Sequence, residues 1–178
     1  MKIKNTKFKG LKIVKQKNNI DIRGSLRETH NEKILNFRKF IFEYCTTSKG
    51  KVVRGFHFQK KFQQAKYVNV IKGKILDYVI DLRKKSKTFG KTFKIILSDK
   101  NCLGLYIPEG FAHAYYSYDK YNIIYYKLSN YYKPQFEDGI IWNDKSLKIK
   151  WPIKKPKVSK KDSKLQTFNN FCKKNKGL

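Results

Sequence analysis

From Val52 onward, hydrophobic and polar positions fall into short runs, alternating or wholly apolar, with turn residues between them. That rhythm belongs to a sandwich or barrel. It predicts strands over Val52–Phe58, Lys66–Ile71, Lys74–Leu82, Thr92–Leu97, Cys102–Ile107, His113–Ser117 and Asn122–Leu128. Lys72-Gly73, Lys87-Thr88-Phe89-Gly90, Ser98-Asp99-Lys100-Asn101, Pro108-Glu109-Gly110 and Asp119-Lys120 supply the turns. Upstream, Asn31–Phe42 places Ile34, Leu35, Phe37 and Phe40 on one side of a short amphipathic helix that Asn31 can cap. Downstream, Trp151-Pro152-Ile153-Lys154-Lys155-Pro156 is an extended connection, because proline lacks a backbone donor and pushes its predecessor out of helix. Ser159-Lys160-Lys161-Asp162 then reads as a helix start, and the Lys-rich residues 171–178 as a frayed tail. The expected fold is an all-β jelly roll with short helical decorations.

The 178 residues suit one domain, 1–178, with its core over about 22–162. No apolar run approaches the ~18 residues that cross a bilayer, and the alternating start Met1-Lys2-Ile3-Lys4-Asn5 has no signal-peptide pattern. The expectation is a soluble, cytoplasmic protein without membrane association. A formal charge of +29 points first to nucleic acid. Composition weakens that reading: only five of the 42 basic residues are Arg, and the chain is crowded with Lys, Asn, Ile, Tyr and Phe, with three Ala. Such a bias scatters Lys over every surface, and no zinc-finger or aromatic RNA-binding motif accompanies it, so no nucleic-acid partner is expected. The charge still favours an anionic small molecule. Cys45, Cys102 and Cys172 are isolated and read as reduced thiols.

Three histidines narrow the search for chemistry. Alternation along Val53-Arg54-Gly55-Phe56-His57-Phe58-Gln59 puts Val53, Gly55, His57 and Gln59 on one face, opposite Arg54, Phe56 and Phe58. His113 starts a later strand, and His30 lies in a polar run where exposure is expected. A jelly roll with inward histidines raises a metal cupin, whose His-x-His pair aims two imidazoles at one ion. Here the i+2 position is Gln59, which leaves too few ligands for a tight site. Acid–base chemistry without metal needs a base, a donor and a cation for developing negative charge. His57 offers the base, the tyrosines a donor, and Lys66, on what reads as the adjacent strand, the cation; Tyr125 and Tyr126 take opposite faces, so only one can share a pocket with His57.

The segments Arg54-Gly55-Phe56-His57-Phe58-Gln59, Gln64-Ala65-Lys66-Tyr67-Val68, Val79-Ile80-Asp81-Leu82-Arg83, Ser86-Lys87-Thr88-Phe89-Gly90, Ile107-Pro108-Glu109-Gly110-Phe111-Ala112-His113, Tyr125-Tyr126-Lys127, Tyr131-Tyr132-Lys133-Pro134 and Ile141-Trp142-Asn143-Asp144 resemble, in order and spacing, the dTDP-4-dehydrorhamnose 3,5-epimerases. The resemblance runs from about Val52 to Asp162. It implies a cupin-type jelly-roll homodimer that exchanges amino-terminal strands, uses no metal or organic cofactor, and acts on a nucleotide-linked 4-keto-6-deoxyhexose for surface polysaccharide synthesis. It implies His57 as base, Tyr126 as acid and Asp162 as the carboxylate behind that base. Arg54, Lys66, His113, Glu137, Lys161, Arg23 and Glu28 fall where the family contacts sugar or diphosphate, and Lys66 is the cation that the developing enolate needs. Two segments depart from the family. Arg23-Gly24-Ser25-Leu26-Arg27-Glu28 has Leu26 where an aromatic is usual and Ser25 in place of another nearby, and Phe42-Glu43-Tyr44 replaces a Gln-x-Asn polar pair. A single-centre epimerase, a related ketoisomerase and a catalytically silent sugar-nucleotide-binding protein are the alternatives.

Overall fold

The computed structural model describes residues 1–178. Thirteen strands follow in chain order: β1 (Lys2–Asn5), β2 (Lys12–Lys15), β3 (Lys17–Asp21), β4 (Gly24–Glu28), β5 (Phe42–Lys49), β6 (Val53–Gln59), β7 (Lys66–Lys72), β8 (Lys74–Asp81), β9 (Thr92–Ser98), β10 (Leu103–Ile107), β11 (Phe111–Ser117), β12 (Tyr121–Leu128) and β13 (Glu137–Gly139). One helix, α1, spans Phe168–Asn175. The strands form a six-stranded sheet in the order β1-β2-β10-β7-β12-β5, a five-stranded sheet in the order β13-β6-β11-β8-β9, and a separate β3–β4 hairpin. The architecture is the jelly roll expected from the alternating runs, and those seven strands lie within two residues of their predicted bounds.

The two sheets face each other across a core that takes Val68, Leu105, Ile124 and Leu128 from the larger and Ile75, Val79, Leu97 and Phe111 from the smaller. Phe8 and Leu11 are buried in the same core, so it begins ahead of residue 22. A second layer covers the outer face of the five-stranded sheet, where Phe56, Phe58, Tyr78, Ile80 and Tyr116 pack beneath Trp142, Trp151, Val158 and Phe171 from the returning chain. With both faces covered, β8 and β11 are buried almost end to end, which is why their sequences run nearly unbroken in apolar residues.

Three local expectations give way. Residues 31–41 form turns instead of a helix. The Asn31 side chain donates to Glu28 Oε1 at 2.6 Å, and Leu35, Phe37 and Phe40 spread over Tyr67 and Tyr106 on the outer face of the six-stranded sheet. A helix this short has little stability of its own, so docking of its aromatics decides its shape. Ser159–Asp162 does not begin an α-helix either, since only a 3-10 turn follows over Asp162–Lys164. The tail does not fray. Thr167 caps α1 by accepting from Asn170 N–H at 3.2 Å, Phe171 is fully buried with its ring edge-on to Phe58, and Leu178 N–H donates to Leu82 O at 2.7 Å.

The strand carrying His57 also departs from strict alternation. His113 pairs with His57 but Tyr115 pairs with Arg54, so three residues of β6 lie against two of β11. This bulge reverses the side-chain order ahead of it. Arg54 joins His57 on the interior face, and Val53 joins Phe56 and Phe58 in the outer layer. Gly55 sits in the bulge at φ +111°, where an added Cβ would lie 2.7 Å from the Cβ of Ala114. Glycine is the residue that tolerates both conditions.

Candidate active site

A cavity of about 480 Å3 opens between the sheets, a volume typical of small-molecule sites. His57 and Arg54 enter it from β6 and His113 from β11, all on the five-stranded sheet. Tyr126 on β12 and Lys66 on β7 enter from the six-stranded sheet. Lys66 is therefore on the facing wall and not on the strand next to His57, because β6 and β7 part into different sheets. Tyr125 points away and donates its hydroxyl to Glu43 on the outer side of the sheet.

Each inward imidazole is backed by a carboxylate. His57 Nε2 lies 2.8 Å from Asp162 Oδ1, and the second oxygen of Asp162 accepts from Gly55 N–H at 3.0 Å. Burial pushes the Asp162 carboxyl up, but hydrogen bonds from His57 and Gly55 outweigh it and hold the group below its usual range. The carboxylate therefore takes the imidazole N–H and leaves Nδ1 as the nitrogen free to accept a proton. His113 Nε2 lies 2.7 Å from Asp77 Oδ2, and both groups are buried. Burial raises the Asp77 carboxyl, and its other oxygen has no partner.

Lys66 has 8 % of its surface exposed, and burial lowers its ammonium to about 8, with Glu137 and Asp77 opposing the drop. At neutral pH it remains a cation in a buried wall, where it acts on nearby charge more strongly than in water. Burial also drives the Tyr126 phenol well above its ordinary value, so it holds its proton throughout the working range. Arg54 is held by Nε to Ser48 Oγ at 3.1 Å and by a terminal nitrogen to Thr47 O at 3.0 Å. Lys161 also lines the cavity and pairs with Glu137, which accepts a second hydrogen bond from Tyr132.

Arg23 and Glu28 are not brought to this cavity. Arg23, in the β3–β4 turn, is exposed and paired with Asp21, while Glu28 is occupied by Asn31. The hairpin also displays Ile20 at 78 % and Ile22 at 105 % exposure, apolar side chains with nothing beneath them. His30, expected to be exposed, is half-buried edge-on to Phe40. Sequence reading missed Tyr44, Thr46, Tyr115, Lys157 and Ser159 as cavity residues, and Asp77 as the partner of His113. Asp77 did leave a signal: it is a lone carboxylate in Ile75-Leu76-Asp77-Tyr78-Val79, where a buried charge needs a partner.

A jelly roll holding a carboxylate-backed imidazole on one wall and a phenol and buried ammonium on the other is built as a cupin-type isomerase working by proton transfer. The profile of the dTDP-4-dehydrorhamnose 3,5-epimerase family matches residues 5–170. The chain is 38% identical over 152 residues to the dTDP-4-dehydrorhamnose 3,5-epimerase of Methanothermobacter thermautotrophicus, covering 83% of this chain and 82% of that one. Among solved structures, the Bacillus anthracis enzyme of the same name, with TDP and PPi bound, superposes with a TM-score of 0.90 at 35% identity, covering 93% of this chain and 98% of that one. The dTDP-6-deoxy-D-glucose-3,5-epimerase of Legionella pneumophila, in complex with dTDP-4-keto-L-rhamnose, gives 0.89 at 34% identity over 94% and 93% of the two chains. This chain belongs to the dTDP-4-dehydrorhamnose 3,5-epimerase family.

Proposed function

We propose that this protein, acting as a single domain, epimerises a nucleotide-linked 4-keto-6-deoxyhexose at C3 and C5, converting dTDP-4-dehydro-6-deoxyglucose to dTDP-4-dehydrorhamnose for surface polysaccharide synthesis. The observation that carries the reading is the placement of His57 and Tyr126 on facing walls of one cavity, with Lys66 beside them. The C4 ketone acidifies the protons at C3 and C5. His57 Nδ1 takes one of them, and Asp162 stabilises the imidazolium that forms. The electron pair of the broken C–H bond moves into an enolate, whose oxygen is stabilised by the Lys66 ammonium. Tyr126 returns a proton to the same carbon from the opposite ring face, which inverts it. The proton on His57 and the one lost from Tyr126 are then re-equilibrated through solvent. Every step is a proton transfer, so the scheme calls for no cofactor.

Arg54, Lys157 and Lys161 at the cavity wall suit the diphosphate, with Arg54 offering two parallel donors and Glu137 holding Lys161 in place. Arg23 and Glu28 enter this scheme through a homodimer in which the β3–β4 hairpin of one subunit reaches the cavity of the other. The exposed Ile20 and Ile22 support that reading. No helix is long and apolar enough to cross a membrane. We place the activity in the cytoplasm, where nucleotide-activated sugars are built. The test is a panel of nucleotide-linked 4-keto sugars in deuterated buffer, followed by NMR and mass spectrometry, with His57→Asn as comparison. The expected result is label at both C3 and C5 of the dTDP sugar, abolished in the variant. Absence of exchange with every sugar, or full turnover by His57→Asn, would overturn the reading.

A further inference from the structure

Tyr44 stands directly opposite Tyr126 in the β5–β12 pairing, so both side chains project from the same face into the same cavity. Their rings are stacked, with centroids 4.9 Å apart and planes inclined by 30°. A second aromatic neighbour of the Tyr126 ring is His113, edge-on at 6.0 Å, and Thr46 and Tyr115 also lie near its phenol. The phenol is thus held between a stacked ring and a ring edge. Tyr44 is itself steadied by Phe42 at 5.7 Å, which packs on Tyr131 at 6.1 Å. β5 is the outermost strand of its sheet, so within the subunit no strand lies beyond Tyr44. Tyr44 is 36 % exposed at this edge of the sheet, and desolvation raises its phenol to about 12, so the hydroxyl keeps its proton at working pH.

We propose that Tyr44 is a positioning residue that holds the Tyr126 phenol in the plane from which it delivers its proton, and so determines how often enolate formation ends in inversion. The inference rests on the assignment of Tyr126 as acid in the proposed reaction. An enolate carbon can be reprotonated from either face. If Tyr126 is correctly aimed, its O–H bond breaks as the new C–H bond forms on the face remote from His57, and the centre inverts. If the phenol swings away, the His57 imidazolium returns its own proton, or one exchanged with solvent, to the original face. In the second case the carbon gains label without inversion. Aromatic stacking restrains that swing where an aliphatic side chain would not. A displacement of about 1 Å in a catalytic group costs on the order of 10²-fold.

The experiment compares Tyr44→Leu and Tyr44→Phe with the full chain in deuterated buffer on the dTDP-linked 4-keto sugar, measuring label and inversion separately at C3 and C5. Tyr44→Leu is expected to lower kcat for inversion by about 10²-fold with KM changed less than about threefold. Label without inversion is expected to accumulate in its recovered substrate. Tyr44→Phe keeps the ring and is expected to restore most of the inversion. An unchanged ratio of inversion to exchange in Tyr44→Leu would overturn the proposal, as would a Tyr44→Phe defect equal to that of Tyr44→Leu, which would make the hydroxyl and not the ring the active feature. Crystal structures of wild-type and Tyr44→Leu protein without substrate supply a reading independent of the sugar. Rotation of the Tyr126 ring in the variant supports the proposal; an unmoved ring overturns it. If the wild type exchanges no proton with any 4-keto sugar, the reaction assignment fails, and the crystal comparison still decides the role of Tyr44.

Discussion

His57 and Asp162 lie 105 positions apart in the chain, yet Nε2 of one is 2.8 Å from Oδ1 of the other, and that carboxylate also accepts from the backbone N–H of Gly55 in the bulge of the same strand. The returning carboxy-terminal segment therefore clamps the strand that carries His57. Its packing over Phe56 and Phe58 and the orientation of the imidazole are parts of one arrangement.

Asp162→Asn removes the charge that stabilises the imidazolium and presents an amide able to donate toward the ring. The expected loss in kcat is about 10²- to 10³-fold, with a smaller effect on KM, measured by initial rates. The stability effect has a definite sign. Asp162 titrates below its ordinary value in the fold, so its contribution is present above pH ~4 and is lost as pH falls through the lowered value. Urea unfolding at pH 7 and pH 3 is expected to show a gap between wild type and variant that narrows in acid.

Lys66 is expected to couple function against stability. Burial brings its ammonium down from the ordinary lysine value of 10.5 to about 8, so at neutral pH the fold carries a buried charge at a cost of about 3 kcal/mol. As pH rises from about 8 to 10.5, the folded protein loses this proton before the unfolded chain does, and this group's contribution to stability grows. Lys66→Met is therefore expected to melt higher than wild type at pH 7, with the advantage shrinking by pH 10, while turnover is lost. Wild-type activity should show an alkaline limb near pH 8 that belongs to Lys66, since the Tyr126 phenol is held well above that range.

Tyr126→Phe keeps the ring between Tyr44 and His113 but has no proton to give. Solvent label at C3 is expected to persist through His57 while inversion falls by at least about 10²-fold, read by NMR of recovered sugar. Loss of label together with inversion would return the acid role to another group.

The β3–β4 hairpin is the expected dimer arm. Ile22→Asp, a change on a fully exposed side chain with no intramolecular packing to lose, should leave the subunit folded but shift its mass in light scattering toward the monomer. Activity should fall with it, because Arg23 and Glu28 would no longer reach a cavity. A variant that remains dimeric and active would remove the arm from the site.

Phe171→Ala tests whether the carboxy-terminal helix belongs to the fold. Its ring is fully buried against Phe58, and truncation is expected to cost about 3–5 kcal/mol in urea unfolding. A cost near zero would return residues 168–178 to the status of a loose tail.

The barrel strands were legible in the chain because a residue facing the core and its neighbour facing away differ in hydrophobicity wherever a sheet has one buried side, and Gly, Pro and Asn mark where the runs end. Alternation also made His57 a candidate for the interior, but it left Tyr125 and Tyr126 undecided, and Tyr126 was singled out only by the family resemblance. Local sequence could not reveal which wall each one occupies. Lys66 moved to the facing sheet because β6 and β7 part at the corner, and Arg54 changed face because one extra residue in β6 reverses the alternation, an event that pairing with β11 defines and no local pattern announces. The helices were misjudged at 31–42 and 159–162 and overlooked at 168–175 because segments this short take their shape from the surface they cover. The chain alone thus specified a double sheet and the chemical types of its interior polar groups, since side-chain alternation is a local property. The tertiary structure decided which imidazole meets which carboxylate and which ring lies on Tyr126, since those contacts join strands tens of residues apart and depend on register.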